Sequence, residues 1–218
     1  MYRTVIFDLD GTLLDTIGDL AAAANAVCRE NGWPEYTVQA VEGMVGHGIP
    51  NLVSRFSPAE AQEPQTLERT LAQFNRYYGA HNMELTAPYA GMPEAVERLR
   101  AAGVRTAVLS NKAHALAGPV VEDYYPGQFP WVQGALPGLP TKPDPTLLHR
   151  LMEQMGASPE DTLFVGDSDV DIRTARNGGL TSCGVLWGFR GRAELEAEGA
   201  DCLARTPEEL VKAVLGDG

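Results

Sequence analysis

The chain has 218 residues, 44% of them hydrophobic, enough for one large domain or for a core domain with a smaller insert. That composition excludes a collagenous or disordered chain, and a net charge of -12 argues against binding nucleic-acid backbones or anionic lipid. An anionic substrate would therefore need local cations, either a metal or a few basic side chains.

In chain order, Thr4-Val5-Ile6-Phe7 is a β-branched apolar run that stops at Asp8-Leu9-Asp10-Gly11, and it predicts a buried strand with carboxylates at its C-terminal end. After Asp15 the pattern turns helical. Leu20, Ala23, Ala24 and Val27 share one face until Asn31-Gly32-Trp33-Pro34, and Leu67, Leu71, Phe74 and Tyr78 repeat the helical period. Between about residues 15 and 85 the sequence predicts helices and loops without a strand.

At Gly91-Met92-Pro93 a helix begins that ends near Gly103, and a strand follows over 104–109. Leu148, Leu151, Met152 and Met155 mark another helix, Ser158-Pro159-Glu160-Asp161 a one-turn cap, and 162–165 a strand ending at Gly166-Asp167. A helix over 171–176, strands over 181–186 and 200–203, and a capping box at Thr206-Pro207-Glu208-Glu209 complete the pattern. Tyr124, Tyr125, Phe129 and Trp131 read equally as an exposed subunit-pairing patch or as a hydrophobic cluster under a loop.

Strands alternating with helices after residue 90, with one strand before residue 10, predict an α/β fold with a doubly wound, mostly parallel sheet. The expected domains are 1–14 with 88–218 as the α/β core and 15–87 as an inserted helical unit. No stretch reaches the ~18 consecutive apolar residues that span a bilayer, and Met1-Tyr2-Arg3 leads into an acidic motif rather than an apolar leader, so a soluble cytoplasmic protein is expected. Cys28, Cys183 and Cys202 lack CxxC spacing and read as small core residues.

In an open α/β sheet, ligands bind outside the carboxyl ends of the strands. Three predicted strand ends carry polar residues there: Asp8 and Asp10, Ser110-Asn111-Lys112, and Gly166-Asp167-Ser168-Asp169. Side chains two apart on a strand face the same way, with Cα atoms about 6–7 Å apart. Asp8 and Asp10, joined by Asp167, would repel in a desolvated site unless a cation sat between them, and all-oxygen ligands select a hard ion, best magnesium. Taken singly, each aspartate reads equally as a turn or cap residue.

These residues resemble a known family. Asp8-Leu9-Asp10-Gly11-Thr12-Leu13-Leu14-Asp15 resembles the first motif, DxDGTLxD, of the haloacid dehalogenase-like superfamily. Ser110-Asn111, Lys142 within Lys142-Pro143-Asp144-Pro145, and Gly166-Asp167-Ser168-Asp169-Val170-Asp171 resemble its second, third and fourth motifs in order. The resemblance covers nearly the whole chain and implies a Rossmann-like core with an α-helical cap between the first and second motifs.

The resemblance implies a phosphatase in which Asp8 is the nucleophile that forms an aspartyl-phosphate. Asp10 would be the acid and base, and its backbone carbonyl would also bind Mg2+. Asp8, Gly11, Thr12, Ser110, Asn111 and Lys142 would surround the phosphoryl group, with Thr12 also positioning Asp10 and Lys142 stabilising the aspartyl-phosphate. Asp8, Asp10 and Asp167 would hold the metal, and Asp171 would act behind them through a metal-bound water. Asp169 reads as a solvated turn residue.

Dehalogenases of the superfamily lack the aspartate matching Asp10, and the only lysines here are Lys112, Lys142 and Lys212, so none lies in the cap to form a Schiff base. The histidine usual in β-phosphoglucomutases is absent from residues 15–20. Asp15, Asp19-Leu20, Gly46-His47-Gly48 and Ser110-Asn111-Lys112 resemble the phosphoglycolate phosphatase branch. That implies a small phosphorylated metabolite such as 2-phosphoglycolate, with no nucleic-acid or membrane partner. His47 or Arg55 would meet the substrate carboxylate, unless the segment around His47 is a plain inter-helix loop. A cap that excludes water and readmits it for hydrolysis would hinge near residues 13–18 and 85–92. The alternatives are a phosphomutase, a sugar-phosphate or pyrophosphate phosphatase of the same superfamily, and a non-catalytic phospho-ligand sensor.

Overall fold

Thr4–Phe7 forms strand β1, buried along its whole length, at the interior of a six-stranded sheet in a computed structural model that describes residues 1–216. In chain order follow β2 (Leu14–Asp15), α1 (Ile17–Asn31), α2 (Val38–Glu42), α3 (Ile49–Phe56), α4 (Pro64–His81) and β3 (Ala87–Pro88). Next come α5 (Met92–Ala101), β4 (Arg105–Ala113), α6 (His114–Tyr124), β5 (Trp131–Ala135), α7 (Thr146–Met155) and β6 (Thr162–Gly166). The chain then forms α8 (Asp169–Gly178), β7 (Thr181–Val185), α9 (Arg192–Ala197), β8 (Cys202–Ala204) and α10 (Pro207–Leu215).

The large sheet has the order β5-β4-β1-β6-β7-β8, and all its pairings are parallel. From β1 the chain builds outward through β4 and β5, then returns to the other flank for β6, β7 and β8. That reversal puts the topological switch point at the C-terminal end of β1, between β4 and β6. Residues divide into two compact units, 1–14 with those from Pro88 onward, and Asp15–Ala87. The two short strands β2 and β3 pair with each other where the chain passes between the units.

The period-2 alternation of the strands sorts the core into two layers. Val5 and Phe7 of β1, Val108 of β4 and Leu163 and Val165 of β6 pack against α5, α6 and α10. Ile6, Ala107, Leu109 and Phe164 point the other way, onto Leu147, Leu148, Leu151 and Met152 of α7 and Ala175 of α8. Each fully buried aliphatic or aromatic side chain contributes about 1.5–3 kcal/mol of transfer free energy. Both faces of the sheet are covered, and this explains why its strands read as continuous apolar runs.

In the helical unit, α1 ends where Gly32 turns left-handed (φ 70°) and the Trp33 N–H donates to the Cys28 carbonyl at 2.8 Å. Phe56 of α3 and Phe74 and Tyr78 of α4 form a run of rings with centroids 6.1 and 5.5 Å apart. Asp19, buried in α1, accepts from the Leu85 and Thr86 backbone N–H groups, both at 2.9 Å, and from the Thr86 hydroxyl at 2.6 Å.

Several elements differ from the sequence expectation. Neither α6 nor β5 is predicted, because Gly118 and Pro119 interrupt the helical pattern of α6 and β5 is a half-buried strand at the sheet edge. Tyr125 and Phe129 are core residues rather than a surface patch: their rings meet edge to face at 5.4 Å, Phe129 stands edge to face on Phe7, and the Tyr125 hydroxyl donates to the Leu13 carbonyl. Strand β4 runs four residues past the predicted end, with its register to β5 shifting between Leu109 and Ala113.

Replacing Asp19 with alanine strands three donors around a buried site. Asp19→Ala is expected to lower unfolding stability by about 2–4 kcal/mol, with Asp19→Asn recovering part of it, as read by urea denaturation.

Candidate active site

The turn after β1 is built by one carbonyl. Leu9 O accepts from the N–H groups of Thr12, Leu13 and Leu14 at 3.3, 3.0 and 3.0 Å, and Gly11 returns an N–H to Leu14 O at 2.8 Å. Gly11 has φ 89°, and a Cβ there would lie 2.4 Å from Asp167 Oδ2, so both the turn and the neighbouring carboxylate require glycine. Asp8 is anchored by its backbone N–H on Val165 O at 2.8 Å, while its Oδ1 accepts from the Leu9 N–H at 2.7 Å.

The Lys142 ammonium is buried and bridges two carboxylates, Asp8 Oδ1 at 2.8 Å and Asp171 Oδ1 at 2.7 Å. Asn111 fixes the lysine from the backbone side: its amide donates to Lys142 O at 3.1 Å, and its Oδ1 accepts the Lys142 N–H at 2.9 Å. The irregular end of β4 thus carries a side-chain clamp on a loop 31 residues away. Asp171, fully buried, also accepts from the N–H and hydroxyl of Ser168 at 3.0 and 2.6 Å. Asp171 is therefore held by a lysine and a helix N-cap.

Asp167 accepts from the Thr12 hydroxyl at 3.1 Å and from the Phe189 N–H at 2.8 Å. The expectation that Thr12 positions Asp10 is corrected: the turn aims its hydroxyl at Asp167. Asp169 is buried and paired with Arg173 at 3.0 Å, not a solvated turn residue, because α8 starts two residues earlier than predicted and makes the two an i,i+4 pair. Asp10 Oδ1 faces the ammonium of buried Lys112 at 3.1 Å, and the Lys112 N–H donates to Ser110 Oγ at 3.1 Å.

Asp8, Asp167 and Asp171 offer carboxylate oxygens that all lie within 4.8 Å of one another. Burial, and then the Asp171 carboxylate, push the Asp8 pKa well above the usual range, with Lys142 only partly offsetting them. The same two causes push Asp167 up to about 7 against the Phe189 and Thr12 hydrogen bonds. Burial alone would lower the Lys142 pKa, but Asp171 and Asp8 raise it above the ordinary lysine range, so it stays a cation.

Four carboxylates thus face two ammonium groups, and the excess negative charge is centred on Asp8 and Asp167. A divalent cation fits this donor set. Asp171 is occupied by Lys142 and Ser168, which leaves Asp8 and Asp167 as the side chains best placed to hold one. The Asp10 side chain lies outside this trio and is paired with Lys112; the resemblance assigns the metal to its backbone carbonyl instead.

Two contributions escape the sequence reading. Lys112 is placed at a strand end by the sequence, but its pairing with Asp10 is not. The segment after β7 gives no motif, yet the Trp187 indole N–H donates to Thr12 O at 2.9 Å, and a Cβ on Gly188 would lie 2.3 Å from both Asp167 Cβ and Gly11 O. His47 and Arg55 belong to the helical unit, His47 in the loop before α3 and Arg55 within it, where its guanidinium donates to Gly43 O at 3.1 Å.

The family model for haloacid dehalogenase-like hydrolases matches residues 5–185. The chain is 36% identical to a phosphoglycolate phosphatase of Pseudomonas putida over 90% of this chain and 74% of that one. It is 30% identical to a phosphoglycolate phosphatase of Aquifex aeolicus, over 96% and 95% of the two chains. Among solved structures, a candidate phosphoglycolate phosphatase from Lactobacillus delbrueckii superposes with a TM-score of 0.94 at 32% identity, covering 99% of each chain.

The raised pKa of Asp167 fixes the sign of a pH effect. Its contribution to stability is complete below the usual carboxylate range and is lost as pH rises through about 7. Chelator-treated protein is therefore expected to melt at a lower temperature at pH 8 than at pH 5, and a divalent cation to raise the melting temperature more at pH 8. A gain equal at both values would contradict the assignment. Gly188→Ala is expected to weaken divalent-cation binding about tenfold or more, measured by calorimetry.

Proposed function

The chain belongs to the haloacid dehalogenase-like hydrolase family, and on that premise we propose that it is a phosphatase cleaving a small phosphate monoester, 2-phosphoglycolate, through an aspartyl-phosphate. The observation that carries this reading is the buried contact of Asp8 with Lys142 at the end of β1, with Asp10 two residues on. A carboxylate held beside a permanent cation, at the switch point of the sheet, suits a nucleophile that must approach an anionic phosphoryl group.

In the first step an Asp8 carboxylate oxygen forms a bond to phosphorus as the bond from phosphorus to the leaving oxygen breaks, and Asp10 gives that oxygen its proton. In the second step Asp10 takes a proton from water, and the water oxygen bonds phosphorus. The acyl-phosphate bond then breaks, releasing inorganic phosphate and restoring Asp8. Lys142 balances phosphoryl charge in both steps, and Ser110 with the backbone around Gly11, Thr12 and Asn111 cradles the phosphoryl oxygens.

Magnesium is the cation proposed for Asp8, Asp167 and the Asp10 carbonyl, where it would supply charge neutralisation for the phosphoryl oxygens. Asp171 holds Lys142 in place and supports this shell. Asp15–Ala87 is read as the cap, with recognition of a substrate carboxylate assigned to His47 or Arg55. Among the described residues no helix is long and apolar enough to cross a membrane, and the proposed setting is the cytoplasm.

Phosphate release from a panel of phosphate esters, with magnesium or with chelator, tests this reading. Magnesium-dependent release is expected, with phosphoglycolate the preferred ester, and Asp8→Asn is expected to reduce it by more than about a thousandfold. Release that survives Asp8→Asn would overturn the assigned nucleophile, and equal turnover of sugar phosphates would overturn the substrate.

A further inference from the structure

Of the three lysines in a chain of net charge -12, two have their ammonium groups buried in the same strand-end crevice. Lys142 serves Asp8 and Asp171, whereas Lys112 faces Asp10, its side chain only 3% exposed and its Nζ 3.1 Å from Asp10 Oδ1. A buried ammonium is costly to desolvate, so its retention at this spot calls for a role that a neutral side chain would not fill. Its backbone N–H is tied to Ser110 Oγ, so the lysine is anchored to the strand end that carries Ser110 and Asn111.

We infer that Lys112 is a positioning residue for the leaving-group proton: by engaging Oδ1 of Asp10 it holds the carboxyl so that Oδ2 faces the oxygen that departs from phosphorus. The inference rests on the phosphatase reading, in which the proton moves from Asp10 to the leaving oxygen as the bond from that oxygen to phosphorus breaks and the bond from Asp8 to phosphorus forms. Lys112 gains and loses no proton in this step. It acts through Asp10, and its contribution is orientation of the donor.

A donor matters most when the leaving oxygen is a strong base. The test therefore compares an alkyl phosphate with an uncharged alkyl group, p-nitrophenyl phosphate and phosphoglycolate, for wild type, Lys112→Met and Lys112→Arg. The quantity read is kcat/KM, which reports the steps up to departure of the leaving group. Lys112→Met is expected to lose about a hundredfold on the alkyl phosphate and less than about threefold on p-nitrophenyl phosphate, with Lys112→Arg recovering most of the alkyl activity.

Equal losses on the alkyl and aryl esters would overturn the inference and leave a uniform structural effect. A loss confined to phosphoglycolate would also overturn it and make Lys112 a ligand for the substrate carboxylate. In either case the phosphatase reading would stand. Wild type that releases phosphate from none of the three esters would instead overturn that reading, and the inference with it. Melting curves of both variants identify any loss that comes from unfolding, and in that event Lys112→Arg, which keeps the charge, decides the outcome.

Discussion

Asp8, Asp167 and Asp171 meet beyond the ends of the neighbouring strands β1 and β6 in buried surroundings, with Asp10 beside them, and the rest of the site is arranged around their mutual repulsion. Carboxylates this close in a low-dielectric crevice interact far more strongly than on a surface. Two buried lysines meet part of the charge and hydrogen bonds from Thr12, Ser168 and Phe189 meet more, yet Asp8 and Asp167 still have raised pKa values. The remaining imbalance is what suits the crevice to a cation.

The fold supplies the rigidity that such a charge cluster needs. β1 lies between β4 and β6 in exact parallel register, Phe7 opposite both Val108 and Val165, so Asp8 emerges between the two strand ends that carry Ser110 and Asp167. Close approach is then a matter of glycines. Gly11 and Gly188 let two backbone segments press on Asp167, and Gly166 leaves room for Asp171, whose Cβ would be 2.2 Å from a Cβ at that position. The Asn111 amide and the Trp187 indole act from outside the charge cluster, one locking Lys142 and the other the Asp8-to-Thr12 turn.

Much of this was readable from local pattern. A short apolar run ending in Asp-x-Asp-Gly announces a strand end with carboxylates, and the same logic finds Asp167; the resemblance to a family then points to Lys142 and Ser110. The rest depends on residues far apart in the chain. Lys112 and Asp10 are separated by 102 positions, Asn111 and Lys142 by 31, and Phe189 and Asp167 by 22, so no local period connects them. Asp171 shows the difference in kind: the resemblance to the fourth motif points to it, but its engagement by Lys142 and Ser168 follows only from the packed fold. Elements α6 and β5 were hidden for a simpler reason, since a Gly118-Pro119 interruption and an edge strand give weak periodicity.

The proposed reaction is defined by the atom that receives the phosphoryl group. Rapid acid quench of the protein during turnover of a phosphate ester, followed by mass spectrometry of its peptides, would locate that group. The charge balance around Lys142 predicts an acyl-phosphate on Asp8, abolished by Asp8→Asn and accumulating when Asp10 is replaced by asparagine and the ester has a good leaving group. A phosphoryl group found on any other residue, or steady turnover with Asp8 never labelled, would contradict it.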